Sequence, residues 1–483
     1  MRDLLITLTI LASLPFILKR PAIGGLMWVW VSVMNPHSQG WGYATQLPFA
    51  FLIAVATMLS MLVSREPKSL PLTPVSLALL AFVLWMNVTT PMALLQASSW
   101  VQWNKVMKIM LMTCVILMVI RSRRDIQRLV WVLVFSLGYY GVKGGLFTLR
   151  GGGTERVWGP EGSFIGDNNA FALALIITLP LMYYLYQNST RKWTRAALLA
   201  VMALSALSAL GSYSRGALVA IIAMGLFMWY KSGRKLAFGS LVLLCAPVFF
   251  LFMPQRWAER MDTIGDYHAD GSALGRLNAW RMAYNLACDR FFGGGFEVSH
   301  ASVFSRYAPN PADVHAAHSI YFQALGEHGF VGLGLYLLLG WLTWRSAAWT
   351  IRQARGRAEL AWAGGLAVMI QASMIGFAVG GAFLSLLYFD LPYYLMAAVV
   401  ATRVLVEQQL RSGAPRAAPL RTAPATTPQQ ARRVRAAALD KARRGGGGGG
   451  RKKGGNGGGW GRGRPASRGW GDKRSMGGKE DSK

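Results

Sequence analysis

The chain has 483 residues, of which 53% are hydrophobic and only 15% are charged, with a formal net charge of +30. This composition excludes both an average soluble domain and a disordered chain. Apolar runs of about 15 to 24 residues recur from Leu4 to about Val400, and only a lipid bilayer accommodates so many. Cys114, Cys245 and Cys288 are too scattered for a disulfide framework and match no zinc spacing.

Apolar segments predict an all-α polytopic membrane protein with about 12 transmembrane helices. The first segment lacks a small-residue cleavage site, so we expect a retained helix rather than a signal peptide. The count is 12 or 13, and the side of the N-terminus stays open, because the first two segments are short. The predicted segments are 4–18, 21–34, 48–63, 74–88, 106–120, 127–148, 168–187, 195–210, 215–230, 236–253, 319–344, 358–379 and 382–402.

Connectors rich in Lys and Arg alternate with connectors poor in them, as the positive-inside rule requires. The C-terminal tail is then cytoplasmic. The predicted outward connectors are 35–47, 89–105, 149–167, 211–214, 254–317 and the Gly380-Gly381 turn. The largest of them, 254–317, is expected to be partly helical and to cap an outward-facing cavity.

Three regions follow from this pattern. We expect an N-terminal transmembrane region over 1–190, a catalytic core over 191–405 that contains the loop 254–317, and a disordered basic tail over 406–483. From Arg411 onward, 19 Lys and Arg stand against 4 Asp and Glu, and the tail is rich in Gly and Arg. Such a tail is typical of a segment resting on anionic lipid headgroups. RNA binding is the alternative, but we expect no nucleic-acid partner.

Several cations occupy the predicted outward side, where the positive-inside rule disfavours them, and all six His lie there or near it. An outward cluster of Arg and His indicates an anionic substrate. The cations are Lys143, Arg150, Arg156, Arg215, Arg276 and Arg281.

Residues 211–216 read Gly-Ser-Tyr-Ser-Arg-Gly between two apolar runs, and Ser212 and Ser214 are natural N-caps for the second. Arg215 then stands at a helix N-terminus, where a cation opposes the helix dipole unless an anion is bound. Helix N-terminal amides with an Arg form a phosphate receptor. The alternative is an Arg that snorkels to the headgroups.

Two motifs follow in and after the long loop. Arg276 and Arg281 lie on a predicted amphipathic helix, about 140° apart, and an ordinary solvated helix is the alternative. His318 stands at the start of the next transmembrane helix, where burial and the helix N-terminus favour the neutral imidazole that a general base needs. Tyr321, three residues on, lies on the same face and orients either the ring or a sugar hydroxyl. A structural His is the alternative.

The connector 149–169 contains a Gly-rich stretch with Arg150, Arg156 and Trp158, and it ends in Asp167-Asn-Asn. The Asp/Asn run is most simply an N-cap. The alternative is that the Gly-rich stretch with its Arg and Trp residues holds a sugar ring or a phosphate. Three Asp and His268 in the long loop match no metal-site pattern, so we predict no metal.

These motifs in this order resemble the O-antigen ligase/polymerase superfamily. The resemblance rests on the Ser-Arg-Gly turn, the Gly-Arg…Trp loop helix, and His-x-x-Tyr followed by Glu-x-Gly-x-x-Gly. It spans roughly residues 1–405. Arg156-Val-Trp-Gly-Pro with Asp167-Asn-Asn is similar to the ligase branch, including forms found beside exosortase systems. The family's His is usually followed by Asn, whereas Ser319 follows His318 here.

The resemblance implies a glycosyltransferase in the bacterial inner membrane, with its active site facing the periplasm. It would transfer glycan from undecaprenyl diphosphate to lipid A-core oligosaccharide, with inversion and without metal or another cofactor. His318 would be the general base, with His315 as a rival, and Arg215 and Arg276 would neutralise the diphosphate. The remaining implied substrate contacts are Arg281, Arg156, Tyr321 and Arg150.

Other functions stay open from the sequence. A repeat-unit polymerase and a ligase to protein use the same donor and leaving group, so the motifs do not separate them from a lipid A-core ligase. A non-catalytic lipid or glycan transporter is a further alternative. It would place broken helices and buried charge near the bilayer midplane, whereas the ionisable clusters here lie at one interface.

Overall fold

The computed structural model describes residues 1–40, 42–231 and 271–413, all within one compact unit, Met1–Ala417. These residues form fourteen α-helices with turns and short 3-10 segments and no β-strand, which confirms the all-α prediction. The predicted segment 236–253, the first part of the loop 254–317 and the tail beyond 413 lie outside the described residues. The helices are α1 (Arg2–Lys19), α2 (Pro21–Met34), α3 (Phe49–Val63), α4 (Pro74–Thr89), α5 (Gln96–Val119), α6 (Arg123–Arg150), α7 (Asn168–Asn188), α8 (Lys192–Leu210), α9 (Arg215–Lys231), α10 (Gly271–Asp289), α11 (Ala301–Tyr307), α12 (Ile320–Ala354), α13 (Ala361–Gly380) and α14 (Asp390–Arg411).

Six spans in the described part of the chain are long and apolar enough to cross a membrane. They comprise α5, α6, α7, α8, α12 and the stretch Ala358–Phe383 that contains α13. Three shorter apolar helices, α2, α3 and α4, accompany them. The chain therefore has the composition and helices of a membrane protein. The predicted total of about 12 transmembrane helices is not established by these six spans.

Several helix ends differ from the apolar boundaries. α5 begins at Gln96, ten residues before the predicted segment, and α12 continues ten residues past it to Ala354. Apolarity marks only the part of a helix suited to lipid, whereas backbone hydrogen bonding continues the helix through polar residues. α14 begins at Asp390 rather than at 382, because residues 381–389 form a turn after α13.

Contacts between connectors define two faces of the bundle. On one, here called the opposite face, Arg20 Nη2 donates to both carboxylate oxygens of Asp125 at 3.1 Å, and the Arg123 guanidinium lies 5.0 Å from the Trp362 ring centroid. This face gathers the connectors 19–20, 64–73, 120–122 and 355–360.

The other face, here called the site face, carries the connectors that are poor in Lys and Arg. Asp3, at the start of α1, accepts from the backbone N–H groups of Gly42 and Ala44, each at 3.2 Å. The N-terminal end of α1 therefore lies at this face. The site face gathers the connectors 35–40, 42–48, 90–95, 151–167, 211–214, 290–319 and 381–389.

A sharp break divides α12 near its start. Gly329 has φ +67° and ψ −172° within the helix, a region that only glycine adopts readily. A Cβ at this position would collide with the carbonyl oxygen of Phe291. The break therefore lets the chain before α11 pass directly against α12.

A buried polar network surrounds this break. His328 Nε2 lies 2.7 Å from the Tyr388 hydroxyl and its Nδ1 lies 2.7 Å from Thr89 Oγ1. The Tyr388 hydroxyl donates to the Glu327 carboxylate, which also accepts from the Glu297 N–H at 3.3 Å. The network joins α4, the 290–300 connector, α12 and the 384–389 turn, so it fixes the segments that carry the site.

Candidate functional site

His318 lies in the turn that leads into α12, on the site face. Its imidazole is half-buried, and its backbone has φ +42°. A non-glycine residue in this left-handed region costs on the order of 1–3 kcal/mol unless its surroundings hold it there. The N–H of His318 donates to Ser385 Oγ at 3.0 Å, so the turn after α13 helps to fix this backbone.

Arg276, near the start of α10, lies close enough to His318 to act on it electrostatically. The pKa of His318 is lowered first by burial and then by the positive charge of Arg276. The carboxylate of Asp167 opposes this shift, and His315 adds a smaller lowering. The lowered pKa keeps the imidazole neutral at pH 7, which is the form that accepts a proton.

Arg215 begins α9 on the other side of the 381–385 turn. Gly216 lies against Phe383, since a Cβ on Gly216 would stand 3.5 Å from the Phe383 Cβ, and Gly381 in turn lies against Ile320. Ile320 is two residues after His318. Arg215 and His318 therefore flank one short turn.

The capping predictions for this region have different outcomes. Ser214 Oγ accepts from the Ala217 N–H at 3.2 Å, so Ser214 caps α9. Ser212 instead donates its hydroxyl to the Ala209 carbonyl at 2.6 Å. The prediction that Ser212 also caps α9 is wrong, because its hydroxyl is bound to the last turn of α8, which ends at Leu210.

The prediction that the Asp167-Asn-Asn run begins a helix is confirmed. Asp167 caps α7, with Oδ1 accepting from the N–H groups of Asn169 and Ala170 at 2.8 and 3.2 Å. Asn168 Nδ2 donates to the Ser212 carbonyl at 2.7 Å. The last of these bonds brings the start of α7 and the turn before Arg215 together.

An apolar groove of about 340 Å³ lies between α12, α13 and α14. It begins at Ile320 and Tyr321, just after His318, and continues past Trp341 and Trp344. The Tyr321 hydroxyl donates to the Ala378 carbonyl at 2.8 Å. Tyr321 therefore forms a wall of this groove.

Of the other predicted residues, His315 lies near His318 and Arg276, whereas the rest lie elsewhere on the site face. His315 is exposed, with its Nδ1 2.7 Å from Asp313 Oδ1, and its ring packs on Gly275. Arg281 is exposed on α10. Arg150 and Arg156 line a separate cleft between α1, α6 and the connector 151–167, here called the cationic cleft. Among the described residues, none of α9, α10 or α12 lines this cleft.

Two contributors to the site were not identified from the sequence. Ser385 carries no local signal, because its role depends on a contact 67 residues away in the chain. Asp167 was identified only as a cap, and its electrostatic effect on His318 depends on how α7 packs. Only the fold brings these positions together.

Comparison with known protein families adds an independent result. Residues 200–337 match the family model described as O-antigen ligase, and residues 1–190 match DUF5935, a family of unknown function. No curated protein matches the chain. The O-antigen ligase match includes Arg215, Arg276 and His318. This segment of the chain, residues 200–337, is therefore similar to the O-antigen ligase family.

Proposed function

We propose that the chain is an O-antigen ligase of the bacterial inner membrane. It transfers a glycan from undecaprenyl diphosphate to lipid A-core oligosaccharide at the periplasmic surface. The observation that carries this proposal is the half-buried His318, held in the turn before α12 by Ser385 and within electrostatic reach of Arg276, in a segment that matches the O-antigen ligase model. Such a pair combines a proton acceptor with a cation for an anionic leaving group.

The proposed reaction needs only one proton acceptor and charge neutralisation. An imidazole nitrogen of His318 takes the proton of the acceptor hydroxyl, and the hydroxyl oxygen forms a bond to the anomeric carbon. The bond from that carbon to the diphosphate oxygen breaks on the opposite face, so the configuration inverts. The leaving diphosphate keeps the electron pair.

Arg215 and Arg276 bind and neutralise the diphosphate in this scheme. A charge-assisted hydrogen bond contributes about 1.5–3 kcal/mol, and it is most effective where the negative charge develops. General-base assistance adds roughly 10²–10⁴ in rate. The proposed chemistry requires neither a nucleotide nor a metal ion.

The apolar groove supports a lipid-linked donor. It lies between α12, α13 and α14 and begins at Ile320 and Tyr321, two and three residues after His318. A donor whose prenyl chain occupies this groove would hold its diphosphate near His318. Tyr321 would then contact the donor lipid, while Arg281 remains a proposed contact for the glycan.

A direct assay tests this function. The purified protein is mixed with undecaprenyl-diphosphate glycan and lipid A-core, with excess chelator and without nucleotide. We expect a lipid A-core product of lower gel mobility, lost in His318→Ala. The matched control is His315→Ala, three residues away, which should retain activity because His315 is exposed and paired with Asp313.

The possible outcomes separate the alternatives. Chain growth with donor alone would identify a repeat-unit polymerase, and transfer to added protein would identify a protein O-oligosaccharyltransferase. Appreciable activity in His318→Ala would reject His318 as the base. Absence of all three products would favour a lipid or glycan transporter.

A further inference from the structure

The cationic cleft is a second concave site on the site face. Its volume is about 1060 Å³, at the upper end of the ~300–1,000 Å³ typical of ligand pockets. It opens between the N-terminal end of α1, the C-terminal half of α6 and the connector 151–167. The cleft is therefore large enough for several sugar units.

Positive charge dominates the lining of this cleft. Four cations outnumber two carboxylates, and none of these cations takes part in the ion pairs found within residues 1–40, 42–231 and 271–413. Like charges brought together repel one another, so a bound anion would stabilise the arrangement. The cations are Arg2, Lys143, Arg150 and Arg156, and the carboxylates are Glu155 and Glu161.

Aromatic surface accompanies the charge. Trp158 and Phe147 line the cleft, and their side chains are 59% and 48% exposed. Exposed aromatic rings in a concave site mark a binding surface, and their flat faces suit the C–H face of a sugar ring. Arginine recognises phosphate or carboxylate through paired N–H groups. This combination fits an anionic sugar better than a simple inorganic ion.

The cleft adjoins the candidate centre through shared backbone. The Val157 N–H donates to the Gly211 carbonyl at 3.1 Å, and the Tyr213 hydroxyl donates to the Gly153 carbonyl. Residues 211–213 lead directly to Arg215. The connector that forms one wall of the cleft is thus hydrogen-bonded to the turn that carries a proposed diphosphate ligand.

We propose that the cationic cleft binds the anionic oligosaccharide headgroup of the acceptor, a sugar chain that carries phosphate or carboxylate groups. The donor occupies the His318 site, and the acceptor approaches from the cleft across the 151–157 wall. The identification of this sugar as the acceptor rests on the proposed function, whereas the binding of an anionic sugar to the cleft is testable without that function.

Calorimetric titration of the full-length protein in neutral nanodiscs tests this binding directly, without donor. The probe is core oligosaccharide freed of its lipid, used before and after removal of its phosphates. We expect Arg150→Ala with Arg156→Ala to weaken binding of the phosphorylated probe at least tenfold. Trp158→Ala should weaken binding of both probes several-fold.

Two controls make the result specific. Arg124→Ala with Arg352→Ala removes two exposed arginines outside the cleft and should leave the affinity unchanged. Arg306→Ala removes an exposed cation of α11 that does not line the cleft, and it should also bind the probe like the wild type. Equal affinity in the cleft variant and the wild type, or failure of the wild type to bind the probe, would overturn the proposal.

A further titration with anionic lipid shows whether the cleft binds the phosphate of a sugar or that of a lipid headgroup. The titration is repeated in nanodiscs that contain phosphatidylglycerol. Unchanged oligosaccharide affinity supports a sugar site. Competitive loss of oligosaccharide binding identifies a lipid-headgroup site and overturns the proposal. Binding without any transfer activity would defeat the proposed function alone, and transfer with unaltered binding in the cleft variant would defeat this inference alone.

Discussion

In the proposed reaction, His318 would have to satisfy two opposing electrostatic demands. As a base it has to be neutral in the free enzyme, and burial together with the Arg276 charge lowers its pKa accordingly. During transfer it has to hold a proton, which a nearby cation disfavours. An anionic donor bound to Arg276 would compensate that cation and raise the pKa of His318 as the reaction begins.

The acid limb of the pH profile tests the charges around His318. Removing the Arg276 cation in Arg276→Gln should raise the pKa of His318 and move the acid limb of kcat/KM to higher pH. Removing the Asp167 charge in Asp167→Asn should move it to lower pH, because that carboxylate favours the imidazolium. Asn retains the cap on α7. The kcat/KM profile reports the free enzyme, and shifts of both variants in one direction would contradict this assignment.

Arg215 should affect the donor rather than the acceptor. We expect Arg215→Ala to raise the donor KM or lower kcat/KM for donor at least tenfold, since a charge-assisted contact is worth about 1.5–3 kcal/mol. Arg215→Lys should recover only part of the lost kcat/KM, because Lys lacks the paired N–H groups with which a guanidinium binds phosphate. Initial rates over a donor titration measure the effect, with Arg306→Ala, an exposed cation of α11, as the control. An unchanged donor titration would remove Arg215 from the diphosphate site.

At the scale of helices, the apolar pattern predicted where a helix exists better than it predicted where that helix begins and ends. The segment 21–34 matches α2 at both ends, whereas α5 and α12 extend beyond their apolar parts. Hydropathy measures suitability for lipid, and a helix ends where its hydrogen bonding is replaced. The break at Gly329 carries no hydropathy signal, because it depends on the approach of Phe291 from another segment.

The candidate site could be predicted only in part, because here too some features depend on contacts between distant segments. Arg215 and His318 lie at or just before helix starts that the local sequence predicts. Their separation by the 381–385 turn, the support from Ser385 and the charge of Asp167 all arise from packing between distant segments. Arg150 and Arg156 carry the same local signal as Arg276, yet the fold places them in a different cleft.

The break in α12 predicts a strong difference between two glycines of one helix. Gly329→Ala should destabilise the protein by roughly 3 kcal/mol or more, because it combines a glycine-only backbone with a collision against a carbonyl. Gly334→Ala is the matched control: a Cβ there meets open space, and alanine favours a helix by about 0.5–1 kcal/mol. Thermal unfolding in detergent compares them. Similar stability of the two variants would show that the break is not required.

For the whole molecule, the proposed chemistry requires the site face to lie in the periplasm. Cys288 is a free, exposed thiol on α10, so it reports this side without an added label site. In a variant with Cys114 and Cys245 replaced by Ala, a membrane-impermeant maleimide should label Cys288 in intact spheroplasts. Adding Lys192→Cys, at the exposed start of α8 on the opposite face, to a Cys288→Ala background should give labelling only after permeabilisation. The reverse pattern would place His318 in the cytoplasm, where a periplasmic acceptor could not reach it, and would exclude the proposed ligase reaction even if the fold and the His318–Arg276 pair were intact.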